Sequence, residues 1–184
     1  MNRRAVLGIV GSAAIGTVGV SAAGCIDRDG DGTGADADAD VPDLELRVDE
    51  EPADERTVRM THHGGFTPDV TWVSVGGTVT WRNSDDADLH DTVSLANRIP
   101  ADAEGWASEL LSRGEQFSRT FPVEGIYDYV CTPHQSWMLA SVIVGHPDPE
   151  SQPALSAPSD RAGGPNPRVI RALNVRVEEL LEES

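Results

Sequence analysis

The chain has 184 residues and sets 31 acidic side chains against 14 basic ones, for a net charge of -17. All the basic residues are arginine, with no lysine anywhere. So acidic a chain is excluded from charge-driven binding to nucleic acid or anionic membrane surfaces, and its length admits one domain with appendages. At molar salt the Debye length is only about 3 Å, which screens the self-repulsion. Abundant Asp without Lys therefore reads as the surface of a protein from a halophile.

The first 24 residues read as a signal peptide. Arg3 and Arg4 precede an apolar, Gly-rich stretch over residues 5–20. That stretch is shorter than the roughly 20 residues a spanning helix needs, and paired arginines before it suit twin-arginine export. Small residues lead into Cys25, which is expected to become the lipidated first residue of a lipoprotein, with an uncleaved anchor as the alternative. Ala22 stands three residues before Cys25, where Leu is usual. Either way the expected location is extracytoplasmic, with the protein held peripherally at the cell membrane through its N-terminus. Residues 25–55 form an acidic linker. Residues 27–32 look faintly like a calcium loop but lack its bidentate Glu, so an acidic spacer is the better reading. Leu44, Leu46 and Val48 alternate with charges and suit one edge strand.

Residues 56–146 change texture. Short alternating runs recur at Val58–Met60, Val70–Val75, Val79–Trp81, Thr92–Leu95, Gln116–Phe121, Ile126–Cys131 and Met138–Val144. Gly76-Gly77 reads as a hairpin turn between two of them. Seven to eight strands with frequent turns predict an all-β, Greek-key β-sandwich. The spacing after Asp102 predicts a short capped helix presenting Trp106, Leu110 and Leu111.

Residues 147–165 are rich in Pro, Ser, Ala and Gly and read as a linker. Asn166-Pro167 then opens an amphipathic helix over 166–183, with Val169, Ile170, Leu173, Val177, Leu180 and Leu181 on one face. Its Arg-early, Glu-late order opposes the helix dipole, and so short a helix needs a packing surface that the sequence does not identify.

The chemistry concentrates at Cys131-Thr-Pro-His134-Gln-Ser-Trp-Met138. A thiolate, an imidazole and a thioether within eight residues are the ligand types that a type 1 copper site takes from one loop, and His90 could add a second imidazole. The alternatives are a Cys25–Cys131 disulfide, a core role for Met138, a surface or satisfied core role for His90 and zinc at the same residues. His62-His63 reads as a solvated pair or, less simply, a second metal site; His146 reads as linker. Five histidines are too few for the extra copper centres of an oxidase or nitrite reductase, so no enzyme is expected.

Phe66-Thr-Pro, Val75-Gly-Gly-Thr-Val-Thr-Trp-Arg-Asn83, His90 and Gly125-Ile-Tyr-Asp-Tyr-Val-Cys-Thr-Pro-His134, in that order, resemble the plastocyanin-like blue copper proteins, and most of all the halocyanins. The resemblance covers residues 56–146. It implies a cupredoxin fold, one type 1 copper ion bound by His90, Cys131, His134 and Met138, and single-electron transfer with redox proteins of a respiratory chain. Backbone N–H groups near Asp91 and in the loop would donate to the thiolate. One departure stands out: three residues separate His134 from Met138, where plastocyanins usually have four. The resemblance further implies a docking patch of Pro133, Trp137 and Leu139 around the solvent edge of His134. The competing reading is a copper-binding module for delivery or storage, although its usual Met- or His-rich loops are absent.

Overall fold

The computed structural model describes residues 44–159 and 164–184. The signal segment, Cys25, residues 27–32 and the rest of the acidic stretch to residue 43 lie outside the described residues.

Seven strands follow in chain order: β1 (Ala53–Thr61), β2 (Gly65–Thr67), β3 (Val70–Asn83), β4 (Val93–Ser94), β5 (Gln116–Thr120), β6 (Gly125–Val130) and β7 (Leu139–Val144). A C-terminal helix, α1 (Pro167–Glu182), closes the chain. The strands make the all-β sandwich expected, and β3 holds it together. Its first part, Val70–Val73, pairs in parallel with Ser141–Val144 of β7. Its second part, Thr78–Arg82, pairs antiparallel with β5 and in parallel with β1.

Gly76-Gly77 is therefore no hairpin turn. It is a bend inside one continuous strand, where β3 leaves one layer and enters the other. Gly76 supplies a φ of 84°, and the pair exchanges backbone hydrogen bonds with Phe121: Gly76 N–H to Phe121 O at 2.7 Å, Phe121 N–H to Gly77 O at 2.9 Å. A distant strand, not the local sequence, decides the geometry.

Alternation along the strands sorts two apolar layers. Val58, Met60, Val79, Trp81, Tyr127, Tyr129, Cys131, Ala140, Val142 and Val144 point into the sandwich. Val70, Trp72, Ile126, Val130, Leu139 and Ile143 point the other way, onto Ile170, Leu173, Val177 and Leu180 of α1. With both faces covered, every residue of β6 and β7 is buried. The helix starts on Asn166, whose Oδ1 accepts the Arg168 N–H at 3.0 Å, with Pro167 in the first turn.

The Pro-rich stretch before the helix is pinned to the sandwich. Two short 3-10 turns, Pro149–Ser151 and Pro153–Leu155, run along it. Ile126 N–H donates to Gln152 Oε1 at 3.0 Å, and Ala154 is wholly buried. Arg98 ties sandwich, stretch and helix together. Its Nε donates to Asp128 Oδ2 at 2.6 Å, Nη1 to Ser156 O at 2.8 Å, and Nη2 to Ala154 O and to Asn174 Oδ1 of α1. Ser141 Oγ completes the Asp128 carboxylate at 2.6 Å.

The helix expected after Asp102 does not form. Instead, residues 106–111 lie extended beside residues 90–94, with bridges His90–Leu111 and Val93–Ala107. Ser94 N–H donates to Trp106 O and Ser108 N–H to Thr92 O, both at 3.0 Å. Trp106 enters the core against Trp81, ring centroids 5.6 Å apart, while Leu110 stays exposed. Satisfying the backbone against a neighbouring segment while burying a Trp outweighs one marginal turn of helix.

Candidate metal centre

Cys131 follows β6 directly, so its side chain takes the inward direction of Tyr127 and Tyr129. The loop after it is closed by its own backbone. His134 N–H donates to Cys131 O at 3.0 Å, Met138 N–H to His134 O at 2.9 Å, and Cys131 N–H to Met138 O at 3.0 Å. Three residues between His134 and Met138 thus make one helical turn, after which β7 begins. Met138 points back into the sandwich core with Cys131, at 1 % exposure.

His90 arrives from the other side. Its backbone pairs with Leu111 in both directions, at 3.2 and 2.8 Å. Buried Asn83 braces this corner, its Nδ2 donating to Asp88 O at 2.9 Å and Leu111 O at 2.7 Å. Asp91 Oδ1 accepts the Thr132 N–H at 2.5 Å, which locks the His90 segment to the Cys131 loop.

These constraints converge on one point. The Nδ1 atoms of His90 and His134 each lie 3.5 Å from Cys131 Sγ. Three donors around a trigonal centre with bonds of about 2 Å stand about 3.5 Å apart, so the spacing suits a single metal ion. With Nδ1 turned toward the sulfur on both rings, a metal ion there would take Nδ1 from each and leave the ring proton on Nε2. Burial pushes the Cys131 thiol up to about 12, opposed by the backbone N–H groups of Asp91 and His134 that face the sulfur. Burial also lowers the pKa of His90, which keeps the imidazole neutral, and the facing Asp85 carboxylate opposes it. Without a cation the pocket favours uncharged donors. A bound metal ion would take the place of the thiol proton, and a soft thiolate with two imidazoles fits copper.

Burial grades across the set. Cys131 and His90 are fully buried, while His134 is half-buried at the solvent edge. Beside it Pro133 and Trp137 are exposed, Trp137 at 39 %, with the Trp137 ring 5.3 Å from that of His134. Leu139 does not join them. Alternation from Met138 turns it to the opposite face of β7, where it is buried among Val130 and the α1 side chains. The exposed edge is completed instead by His62, whose ring lies 5.5 Å from His134 and 5.7 Å from Trp137. His146 is exposed, with its ring 5.2 Å from Trp72.

Sequence reasoning missed Asp85. Its carboxylate accepts N–H groups from His62, Ala87 and Asp88, which hold it ionised well below the usual carboxylate range, and it faces His90 Nε2 at 3.6 Å. It also missed the Arg98–Asp128 pair, although an Asp inside the otherwise apolar Gly125–Val130 strand signalled a buried partner.

The profile of the copper-binding plastocyanin/azurin proteins matches residues 57–145, the span that carries all four candidate ligands. The chain is 31 % identical over 97 residues to amicyanin-alpha of Methylorubrum extorquens, covering 53 % of this chain and 77 % of that protein. The chain belongs to the plastocyanin/azurin family of copper-binding proteins. It is 34 % identical over 102 residues to halocyanin of Natronomonas pharaonis, covering 53 % of this chain and 61 % of that protein. Pseudoazurin from Methylobacterium extorquens shares the fold, with a TM-score of 0.50 and 22 % identity across 71 % of this chain and 98 % of that one. In this cupredoxin, then, copper is the metal that the paired imidazoles and thiol are built to take.

Proposed function

We propose that this cupredoxin is a single-electron carrier whose type 1 copper ion would be held by His90, Cys131, His134 and Met138. The observation that carries the reading is the pair of Nδ1 atoms at 3.5 Å from one buried thiol. A trigonal N2S set with a weak thioether suits both Cu(I) and Cu(II), so little has to move when an electron arrives or leaves. The bracing by Asn83, Asp91 and the closed loop keeps that geometry rigid. Half-buried His134, flanked by exposed Pro133 and Trp137, offers the shortest route between copper and a docked redox protein. At high salt such docking rests on apolar contact more than on charge steering.

The export signal and Cys25 support an extracytoplasmic, lipid-anchored placement, with the acidic segment as tether and redox proteins of a respiratory chain as partners. The role proposed is carriage of electrons, without a catalytic step. Storage or delivery alone would not call for a braced, buried thiolate site. Substituting Cys131→Ser tests the assignment: copper should still bind the two imidazoles, but the intense thiolate colour and the reversible redox couple should both vanish.

A further inference from the structure

A second group of metal-binding side chains stands at the mouth of the first. Ligand atoms of His62, Asp88 and His134 all lie within 4.8 Å of one another. His62 Nδ1 sits 2.7 Å from Asp88 Oδ2, and the two side chains are 47 % and 37 % exposed. Neither position is accidental. The turn bearing His62 is held by its N–H on Asp85, and Asp88 is fixed by its N–H on Asp85 Oδ1 at 3.2 Å and its carbonyl on Asn83. Two imidazoles and a carboxylate are a borderline N2O set that takes Cu(II) or Zn(II).

The two groups share His134. The buried set (His90, Cys131, His134) and the exposed set (His62, Asp88, His134) meet at that one imidazole, which alone of the three buried-site ligands reaches solvent. The two sets draw on the same imidazole, so an ion released from the exposed set stands next to the buried one and the sets can serve as successive stations for one ion. We infer that His62 and Asp88 form an exposed capture station which receives a divalent copper ion and passes it, over His134, to Cys131 and His90. This inference rests on the copper reading of the buried site.

The transfer is a ligand exchange with no change of oxidation state. Cu(II) first binds His62, Asp88 and His134. Bonds to His90 and Cys131 then form as those to His62 and Asp88 break, and the Cys131 thiol proton leaves to solvent. The inner donors His90 and Cys131 are both at 0 % exposure, so an ion arriving from solvent meets His62 and Asp88 first. A solvated carboxylate and imidazole give the ion its first contacts and lose little when it moves inward. Closing the exposed set from 4.8 Å to a bonded geometry needs only rotation of exposed side chains.

The test is the rate of copper uptake. Metal-free protein is mixed rapidly with Cu(II), and the thiolate-to-copper band is followed while frozen samples are read by electron paramagnetic resonance. Wild type should show an early copper signal of nitrogen and oxygen ligation that converts to the thiolate signal. In His62→Ala and Asp88→Asn the early signal should be lost and the coloured band should rise several-fold more slowly, to the same final spectrum and stoichiometry. Zinc added first should slow uptake in wild type more than in His62→Ala. Equal uptake rates in wild type and both variants would overturn the capture station. Failure of every protein, wild type included, to colour would instead overturn the copper reading on which it rests.

Discussion

The carboxylate of Asp85 lies 3.6 Å from Nε2 of His90, on the side of the ring away from Cys131. One imidazole therefore stands between the thiol and a fixed negative charge. That charge strengthens the ring as a donor and stabilises Cu(II) relative to Cu(I). Asp85→Asn should raise the reduction potential measured by voltammetry, with the thiolate band nearly unmoved. An unchanged or lowered potential would show that Asp85 only shapes the turn.

Arg98 and Asp128 make a buried pair on which the C-terminal stretch and α1 both hang. Removing one partner leaves an uncompensated buried charge. Arg98→Ala should cost about 3–5 kcal/mol in chemical denaturation. Because the pair lies away from the copper ligands in the fold, the spectrum of the loaded protein should persist under native conditions. A loss below about 1 kcal/mol, the level of an exposed pair, would contradict this account.

The helix is integral to the fold. Leu173 is 1 % exposed against the second sheet layer. Leu173→Ala should destabilise the protein by about 2–5 kcal/mol. Glu178→Ala, on the exposed face, should stay within about 0.5 kcal/mol. Equal, small effects at both sites would mean that α1 does not dock in solution.

Much of this was legible in the chain. Period-two alternation located the strands, and Cys131-x2-His134 located the loop, because both are local patterns. The partner of α1 was not legible, since it required knowing that the strand Leu139–Val144, apolar but for Ser141, is covered on two faces. The Gly76-Gly77 bend and the extended course of residues 106–111 were misread for one reason. Each is dictated by backbone partners far away in sequence: Phe121 for the glycines, residues 90–94 for the segment. His62 could not be placed beside His134 from spacing, because 72 positions and five strands separate them.

The alkaline limit follows from composition and burial together. With no lysine, the alkaline response falls to the two tyrosines and, when metal-free, Cys131, and burial raises all three in the folded protein, Tyr129 more than Tyr127. Burial pushes the Tyr127 hydroxyl up to about 12, and it donates to Val123 O at 2.7 Å. The folded pKa lies above the unfolded value of about 10, so this stabilisation is complete below pH 10 and fades as pH rises toward 12. Denaturation midpoints should fall across that window, and Tyr127→Phe should flatten part of the fall. A flat wild-type profile would contradict the burial of the phenol.

Trp137 packs beside His134 while staying 39 % exposed. Trp137→Ala should slow bimolecular electron exchange several-fold and leave the copper spectrum nearly unchanged. A changed spectrum with unchanged exchange would assign Trp137 to the site's architecture rather than to docking.

The most direct test of the central claim is a copper titration of the metal-free protein, read by visible absorption through repeated reduction and reoxidation. One equivalent of Cu(II) should produce an intense thiolate-to-copper band that a mild reductant bleaches and an oxidant restores, cycle after cycle. A pale product, or colour lost irreversibly on the first reduction, would contradict a single-electron carrier built on His90, Cys131 and His134.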